Sequence, residues 1–225
     1  MKTLRNEIIV ESIVKAILKE METGNRTDSA NCSTFGIPTG VSNRHVHLSQ
    51  MHQDILFGEG MTFKKLRNLS QPGQFVCEEF VTLAGPVGVI EKVRILGPVR
   101  KQSQVELLAG DCVKLGIKAP VRESGDLKGS GGGMALVGPA GCVWLDEGVI
   151  IAQRHIHMHT SDAAKYNVVD GKRVGVKMDS IRGGVYHETV IRVSDKFRLE
   201  FHVDFDEANA MSLKPGDLVT IIRDI

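Results

Sequence analysis

The strongest constraint on the fold is an internal repeat that carries two His-x-His pairs. Residues 43–60, NRHVHLSQMHQDILFGEG, resemble residues 153–171, QRHIHMHTSDAAKYNVVDG; both read Arg-His-aliphatic-His-aliphatic, then a helical stretch, then an acidic residue and glycine. A looser alignment matches VRILGPVRKQSQVELLAGD with VIRVSDKFRLEFHVDFDEA, and in it Glu106 aligns with His202. Two related halves of similar size predict a duplication that gives two similar barrels.

Short β-type runs separated by glycine and proline make up the chain from Ile37 onward, for example QFVCEEFVTLAG, GVIEKVRILGPV and HETVIRV. Many short strands with frequent turns favour barrels or sandwiches over a parallel α/β sheet. The stretch after each His-x-His pair is predicted to be a short helix at a barrel end. GSGGG at 129–133 is predicted to be a flexible loop, because it lacks the strand–loop–helix setting of a P-loop. We therefore expect a mainly β chain of two β-barrels capped by short α-helices.

Residues 6–22 give the clearest helix signal, with apolar side chains on one face and charged ones opposite. Residues 23–36 are small and polar and predict a linker. This N-terminal amphipathic helix is either a lid on the main body or a peptide that binds another protein.

The composition excludes several classes of protein. Of 225 residues, 42% are hydrophobic and 24% charged, as in a soluble globular chain. No apolar run approaches the ~20 residues that span a bilayer, and four glutamates within residues 7–22 exclude a secretory signal peptide. The formal charge of +1 favours neither nucleic acid nor a membrane as partner. The four cysteines form no Cys-x-x-Cys pair, which excludes a zinc ribbon and predicts reduced thiols in a cytosolic protein.

The two His-x-His pairs predict metal binding. Residues i and i+2 of a strand project from the same face, about 6–7 Å apart at Cα, so two imidazoles can share one ion. The repeat nominates Glu106 as third ligand of the pair His45 and His47, and His202 as that of His155 and His157. His159 competes with His202, but the first half has Ser49 in the matching place. Zinc suits imidazole and carboxylate ligands; iron, cobalt and manganese remain alternatives.

Two further segments are candidates for the site. Arg100 lies six residues before Glu106 and could reach an anion at the metal with its planar guanidinium; the alternative is a surface arginine. The segment Arg122-Glu-Ser-Gly-Asp126 combines a hydroxyl with turn-forming residues, and by itself indicates only a turn.

The segments SNRHVHLS, GPVR-x5-E, VRESGD, RHIHM and FHVDFDEAN together resemble those of the PduL-type phosphate propanoyltransferases, over residues 37–225. The resemblance implies reversible acyl transfer between an acyl-coenzyme A and inorganic phosphate, with acetyl or propanoyl as the acyl group. It also implies two β-barrels with a di-zinc site between them. The first barrel would comprise residues 37–46 and 154–225, the second residues 47–153, and residues 1–36 would precede both.

Carried over by position, the resemblance assigns one zinc ion to His45, His47 and Glu106 and the other to His155, His157 and His202. Arg100 matches a phosphate-binding arginine, and Ser124 a serine near the site. The positions that match coenzyme A contacts are Val41, Ser42, Asn43, Arg94 and Asn209. Val87 departs from the family, which usually has lysine there; a charge contact with coenzyme A is then absent, or comes from Lys92 or Lys101.

The resemblance also implies a location in a bacterial microcompartment within the cytoplasm. The N-terminal helix would then be an encapsulation peptide that binds a shell protein. Two other functions stay open at this point: a metal-dependent thioester hydrolase with the same ligands, and a shell or scaffold component with structural metals. The acyl chain preferred and the oligomeric state, a homo-oligomer included, are also open.

Overall fold

A computed structural model describes residues 36–222 of the chain. Within them lie fifteen β-strands and four short α-helices, so the predicted mainly β class is confirmed. The predicted N-terminal helix lies outside the described residues. No helix between residues 36 and 222 is long and apolar enough to cross a membrane.

Six strands form a closed barrel in the order β1-β14-β11-β13-β12-β15, with β15 pairing back to β1. The barrel therefore combines one strand from the start of the described chain with five from its second half. These strands are β1 (Ile37–Ser42), β11 (His155–Met158), β12 (Arg173–Met178), β13 (Gly184–Val193), β14 (Glu200–Asp204) and β15 (Leu218–Ile222).

The other nine strands form a curled, half-barrel sheet in the order β7-β10-β6-β2-β5-β4-β8-β9, with β3 paired to β4. No hydrogen-bonded ladder between described strands joins the edges β7 and β9, so this second body is not closed as the first is. Its strands are β2 (His45–His47), β3 (Lys65–Asn68), β4 (Phe75–Ala84), β5 (Val89–Gly97), β6 (Gln104–Glu106), β7 (Val121–Arg122), β8 (Met134–Val137), β9 (Cys142–Leu145) and β10 (Val149–Ala152).

The glycine-rich segment 129–133, expected to be a flexible loop, is paired with β10. Gly131 donates its N–H to Val149 O at 2.8 Å and accepts from Val149 N at 2.9 Å. A Cβ atom at Gly132 would lie 2.0 Å from Asp146 O. The glycines therefore allow close backbone packing, in addition to any turn geometry.

The helices show the duplication. Each His-x-His strand, β2 or β11, leads directly into a helix, and so does its antiparallel partner, β6 or β14. Ser49 Oγ caps the first of these helices and Asp204 the last, where Asp204 and Glu207 form a reciprocal capping box. The helices are α1 (Gln50–Phe57), α2 (Ala109–Leu115), α3 (Thr160–Tyr166) and α4 (Phe205–Ala210).

Two separate hydrophobic cores support the two bodies, one inside the curled sheet and one inside the barrel. Val46, between the histidines of β2, is fully buried in the first core, and Ile156 of β11 is fully buried in the second. Because side chains alternate along a strand, this burial fixes the flanking histidines on the opposite face.

Candidate metal centre

The four histidines of the two pairs project into one cleft of about 580 Å³, which is lined by both the barrel and the curled sheet. Of the residues that the sequence nominates, the cleft is lined by His45, His47, Glu106, His155, His157, His202, Arg100, Ser124, Val41, Ser42, Asn43 and Arg94.

Strand pairing gives each histidine pair its third residue. β2 runs antiparallel to β6, with His45 opposite Glu106, and β11 runs antiparallel to β14, with His155 opposite His202. The potential ligand atoms of each trio lie within 4.8 Å of one another. We call His45, His47 and Glu106 the first cluster, and His155, His157 and His202 the second cluster. The looser repeat match aligned Glu106 with His202. The structure gives these two residues the same strand register, each opposite the first histidine of its pair.

In the first cluster, backbone carbonyls fix the histidine rings. Nδ1 of His45 lies 2.8 Å from Asn43 O, and Nδ1 of His47 lies 3.2 Å from Leu96 O. Since a carbonyl oxygen only accepts, each Nδ1 carries the proton and each Nε2 keeps its lone pair. Nε2 of His45 then lies 3.5 Å from Glu106 Oε2.

Electrostatics of the first cluster favour an ionised carboxylate beside imidazoles. Burial by itself would raise the pKa of Glu106, but the facing His45 holds this pKa well below its usual range. Burial and then the charge of His45 lower the pKa of His47 well below its usual value. Burial also lowers the pKa of His45, yet Glu106 outweighs it and the net shift is upward.

The second cluster repeats this arrangement with three imidazoles. Nδ1 of His155 lies 2.9 Å from Gln153 O, as Nδ1 of His45 does from Asn43 O, and its ring stacks on His202 at 4.9 Å between centroids. Nδ1 of His157 lies 3.3 Å from Nε2 of His202. Burial and then His202 lower the pKa of His155 to about 3, and burial and then His155 lower that of His157 to about 2. Two of the three rings are therefore neutral at pH 7.

Both clusters fit a divalent metal ion. Zinc–ligand bonds of about 2.1 Å in a tetrahedral site place two donors about 3.4 Å apart. The 3.5 Å between His45 and Glu106 and the 3.3 Å between His157 and His202 match this spacing. Three protein donors for an ion would leave one position of a tetrahedral site free for a substrate, as in catalytic zinc sites.

Arg100 and Ser124 lie beside the first cluster. Nη2 of Arg100 donates to Nε2 of His47 at 2.8 Å, and Nη1 donates to Ser124 Oγ at 3.3 Å. Arg100 follows β5, and its backbone N–H is held by Leu48 O at 2.8 Å. The surface-arginine alternative is thereby excluded, because the guanidinium is turned into the cleft.

Gln104 and Glu200 are site residues whose roles the sequence did not disclose. Each lies two residues before the third cluster member, and each faces the second histidine of its pair, His47 or His157, across the ladder. Gln104 Nε2 donates to Glu106 Oε1 at 2.6 Å, while Glu200 Oε2 lies 2.9 Å from Nε2 of His202. Burial would raise the pKa of Glu200, but hydrogen bonding from His202 lowers it to about 2. Residues two apart on a strand share a face, so Gln104 and Glu200 could have been predicted as site residues from the positions of Glu106 and His202 in the repeat.

Gln71 gave no sequence signal, because it reaches the site across the molecule. It lies between β3 and β4 and is 4% exposed. Its Nε2 donates to Arg198 O at 3.0 Å and to Glu200 Oε2 at 3.1 Å, while its Oε1 accepts from Arg198 N at 3.1 Å. A loop of the curled sheet is thus tied to the barrel beside the second cluster.

Several nominated residues do not line the cleft. Asn209 is exposed on α4, and Val87 is 74% exposed in the β4–β5 turn. Lys92 and Lys101 are also absent from the lining. His159 caps α3 through Nδ1, which accepts from Ser161 N at 3.2 Å, so His202 rather than His159 completes the second cluster.

Comparison with known proteins decides the family. The model of the phosphate propanoyltransferase family matches residues 38–214. The chain belongs to the phosphate propanoyltransferase family. A phosphate propanoyltransferase of Thermotoga maritima is 52% identical over 84% of this chain and 90% of its own. Those of Lachnoclostridium phytofermentans and Rhodopseudomonas palustris are 48% and 43% identical, each over 95% of this chain and 97% and 96% of their own.

Phosphate propanoyltransferases are phosphotransacylases, so this family member is an acyltransferase. Acyl-coenzyme A and phosphate are the substrates that the family name implies. A cleft with five arginines, Arg44, Arg67, Arg94, Arg100 and Arg192, against three carboxylates, Glu106, Glu200 and Asp204, suits such anionic substrates.

Proposed function

We propose that the chain interconverts a short-chain acyl-coenzyme A and phosphate with an acyl phosphate and coenzyme A at a di-zinc centre. The observation that carries this proposal is the pair of three-residue clusters that open on one cleft. His45, His47 and Glu106 would hold one ion, and His155, His157 and His202 the other. When bound, zinc supplies Lewis acidity for the thioester carbonyl and stabilises the departing thiolate.

The reaction needs no protein nucleophile. A phosphate oxygen attacks the thioester carbonyl carbon, the carbon–sulfur bond breaks, and coenzyme A leaves as the thiolate. Arg100 would orient the attacking phosphate with its planar guanidinium. Ser124 would keep Arg100 in place, since its hydroxyl contacts both Arg100 and the buried Gln104.

Coenzyme A would occupy the part of the cleft beyond the clusters. Val41 and Ser42 end the barrel strand β1, Asn43 leads from it toward β2, and all three line the cleft. Arg94 stacks on Phe80 at 3.7 Å, which holds its guanidinium at the cleft wall. We retain Asn209 as a contact for a more distant part of coenzyme A, because it is exposed outside the cleft.

Phosphate dependence of coenzyme A release tests this function. We expect release of free thiol from propanoyl- or acetyl-coenzyme A to require phosphate, and to be abolished by a chelator and restored by zinc. A thiol reagent measures the rate with and without phosphate. Thiol release at the same rate without phosphate would instead favour a thioester hydrolase, and a metal-free chain that unfolds and has no activity when loaded would favour a scaffold.

We also propose that the protein acts inside a bacterial microcompartment. The support is the amphipathic pattern of residues 6–22 followed by the polar segment 23–36. Deletion of residues 1–24 should leave turnover unchanged and abolish co-sedimentation with shells. Retained co-sedimentation would contradict this role and would leave the proposed reaction untouched.

A further inference from the structure

Arg192 is a cleft residue to which neither the motifs nor the repeat gave a role. It lies on barrel strand β13, in parallel register with His157 of β11. Its neighbour Ile191 is fully buried in the barrel core, so Arg192 projects from the other face, toward the cleft that it lines.

Arg192 has no anionic partner among residues 36–222. Four other arginines of the described chain form ion pairs with carboxylates: Arg44, Arg122, Arg154 and Arg173. Among the described residues, the guanidinium of Arg192 makes no hydrogen bond and lies 5.9 Å from the ring centroid of Phe197. Phe197 in turn lies 4.1 Å from the ring of His157, between centroids. A partly buried guanidinium without a counter-ion, held beside the second cluster, is a binding group for an anionic ligand.

Arg100, which comes from the other body, likewise has no ion pair with a described carboxylate, and the same holds for the cleft arginines Arg67 and Arg94. Arg100 follows β5 of the curled sheet and lies beside the first cluster, whereas Arg192 lies beside the second. Both line the same cleft.

We propose that Arg192 is the second arginine of the phosphate subsite, and that it and Arg100 hold phosphate or the phosphoryl group of the acyl phosphate between the two bodies. This inference rests on the proposed function. A phosphate group presents oxygen acceptors in several directions, and one planar guanidinium can satisfy two of them. A second guanidinium from the other wall binds the remaining oxygens and fixes the direction of attack.

Inorganic phosphate and the phosphate groups of coenzyme A offer Arg192 the same anionic chemistry. The KM values for the two substrates show which of them Arg192 binds. We expect Arg192→Gln to raise KM for phosphate about 10-fold to 100-fold, the effect of losing a charge-assisted hydrogen bond. The fold-change in KM for acyl-coenzyme A should be at least five times smaller than the fold-change in KM for phosphate. Arg192→Lys should recover part of the loss, because it restores the charge without the planar fork.

A binding measurement and a matched variant complete the test. Calorimetric titration of the zinc-loaded protein with inorganic phosphate should show the same loss of affinity for Arg192→Gln. Arg173→Gln removes an exposed barrel arginine paired with Glu188 and should leave both KM values and phosphate affinity unchanged. Melting curves check that each variant folds.

An unchanged KM for phosphate in Arg192→Gln, or a rise in KM for acyl-coenzyme A that equals or exceeds it, would overturn the inference. Failure of the proposed function is a separate result, because it appears as phosphate-independent turnover of the unmodified protein.

Discussion

At the scale of single residues, each cluster is served by one carboxylate, but from a different position. In the first cluster, Glu106 is itself a potential ligand and the neutral Gln104 holds its other oxygen. In the second, the carboxylate is Glu200, whose Oε2 lies 2.9 Å from Nε2 of His202, the same nitrogen that faces His157. Each half therefore keeps one carboxylate near its cluster. In the first half it stands at the position of the third cluster member, Glu106, and in the second half it stands two residues earlier, at Glu200. Gln104 contacts the Glu106 oxygen that faces away from His45, and a residue that orients a ligand in this way tunes metal affinity.

Replacement of Gln104 tests this orienting role. Gln104→Met keeps the volume but leaves Glu106 Oε1 without its donor, and Gln104 is only 1% exposed, so water cannot replace the bond. We expect about 10-fold to 100-fold weaker zinc binding at one of two sites, measured by competition with a chromogenic chelator. Gln102→Met, at an exposed position bonded to Glu147, is the matched control. Equal zinc affinity in the two variants would contradict the role.

At the scale of elements, β1 and β14 leave no space for a side chain at Gly40. Gly40 pairs with His202 across this parallel ladder, and a Cβ atom there would lie 2.8 Å from Cδ and 2.9 Å from Oε1 of Glu200. Glycine at this strand position therefore makes room for the Glu200 carboxylate beside Nε2 of His202.

Gly40→Ala should displace Glu200 and weaken the second cluster alone. We expect one of two zinc ions to be lost more readily while the other keeps its affinity. Gly110→Ala is the matched control: nothing lies within 4 Å of its Cβ atom, and alanine in helix α2 should raise the free energy of unfolding by up to about 1 kcal/mol. Zinc binding by Gly40→Ala that equals that of Gly110→Ala would show that this packing is irrelevant to the centre.

The same elements explain how much the sequence could predict. The alternation of a strand places His45 and His47 on one face, and the repeat transfers the same geometry to the second half; both signals are local. Gln71 and Arg192 reach the site through contacts between distant segments, for which the sequence carries no period. The open second sheet also escaped prediction, because closure depends on whether edge strands meet and not on the pattern within each strand.

At the scale of the whole molecule, the cleft is assembled from both ends of the chain. β1 belongs to the barrel, the next strand β2 belongs to the curled sheet, and the chain returns to the barrel at β11. This crossing brings a cluster from each body to one cleft, which Arg100 and Arg192 also line. An acyl donor and phosphate can then be held by different bodies and still react.

Metal content is the measurement that tests the central claim most directly. The unmodified protein should hold two zinc ions per chain by elemental analysis after dialysis. His45→Gln and His155→Gln should each hold one, and the double variant none. His159→Gln, which alters a histidine outside the cleft, should keep two. An unmodified chain that holds fewer than two ions, or clusters whose single substitutions leave the content unchanged, would contradict the account.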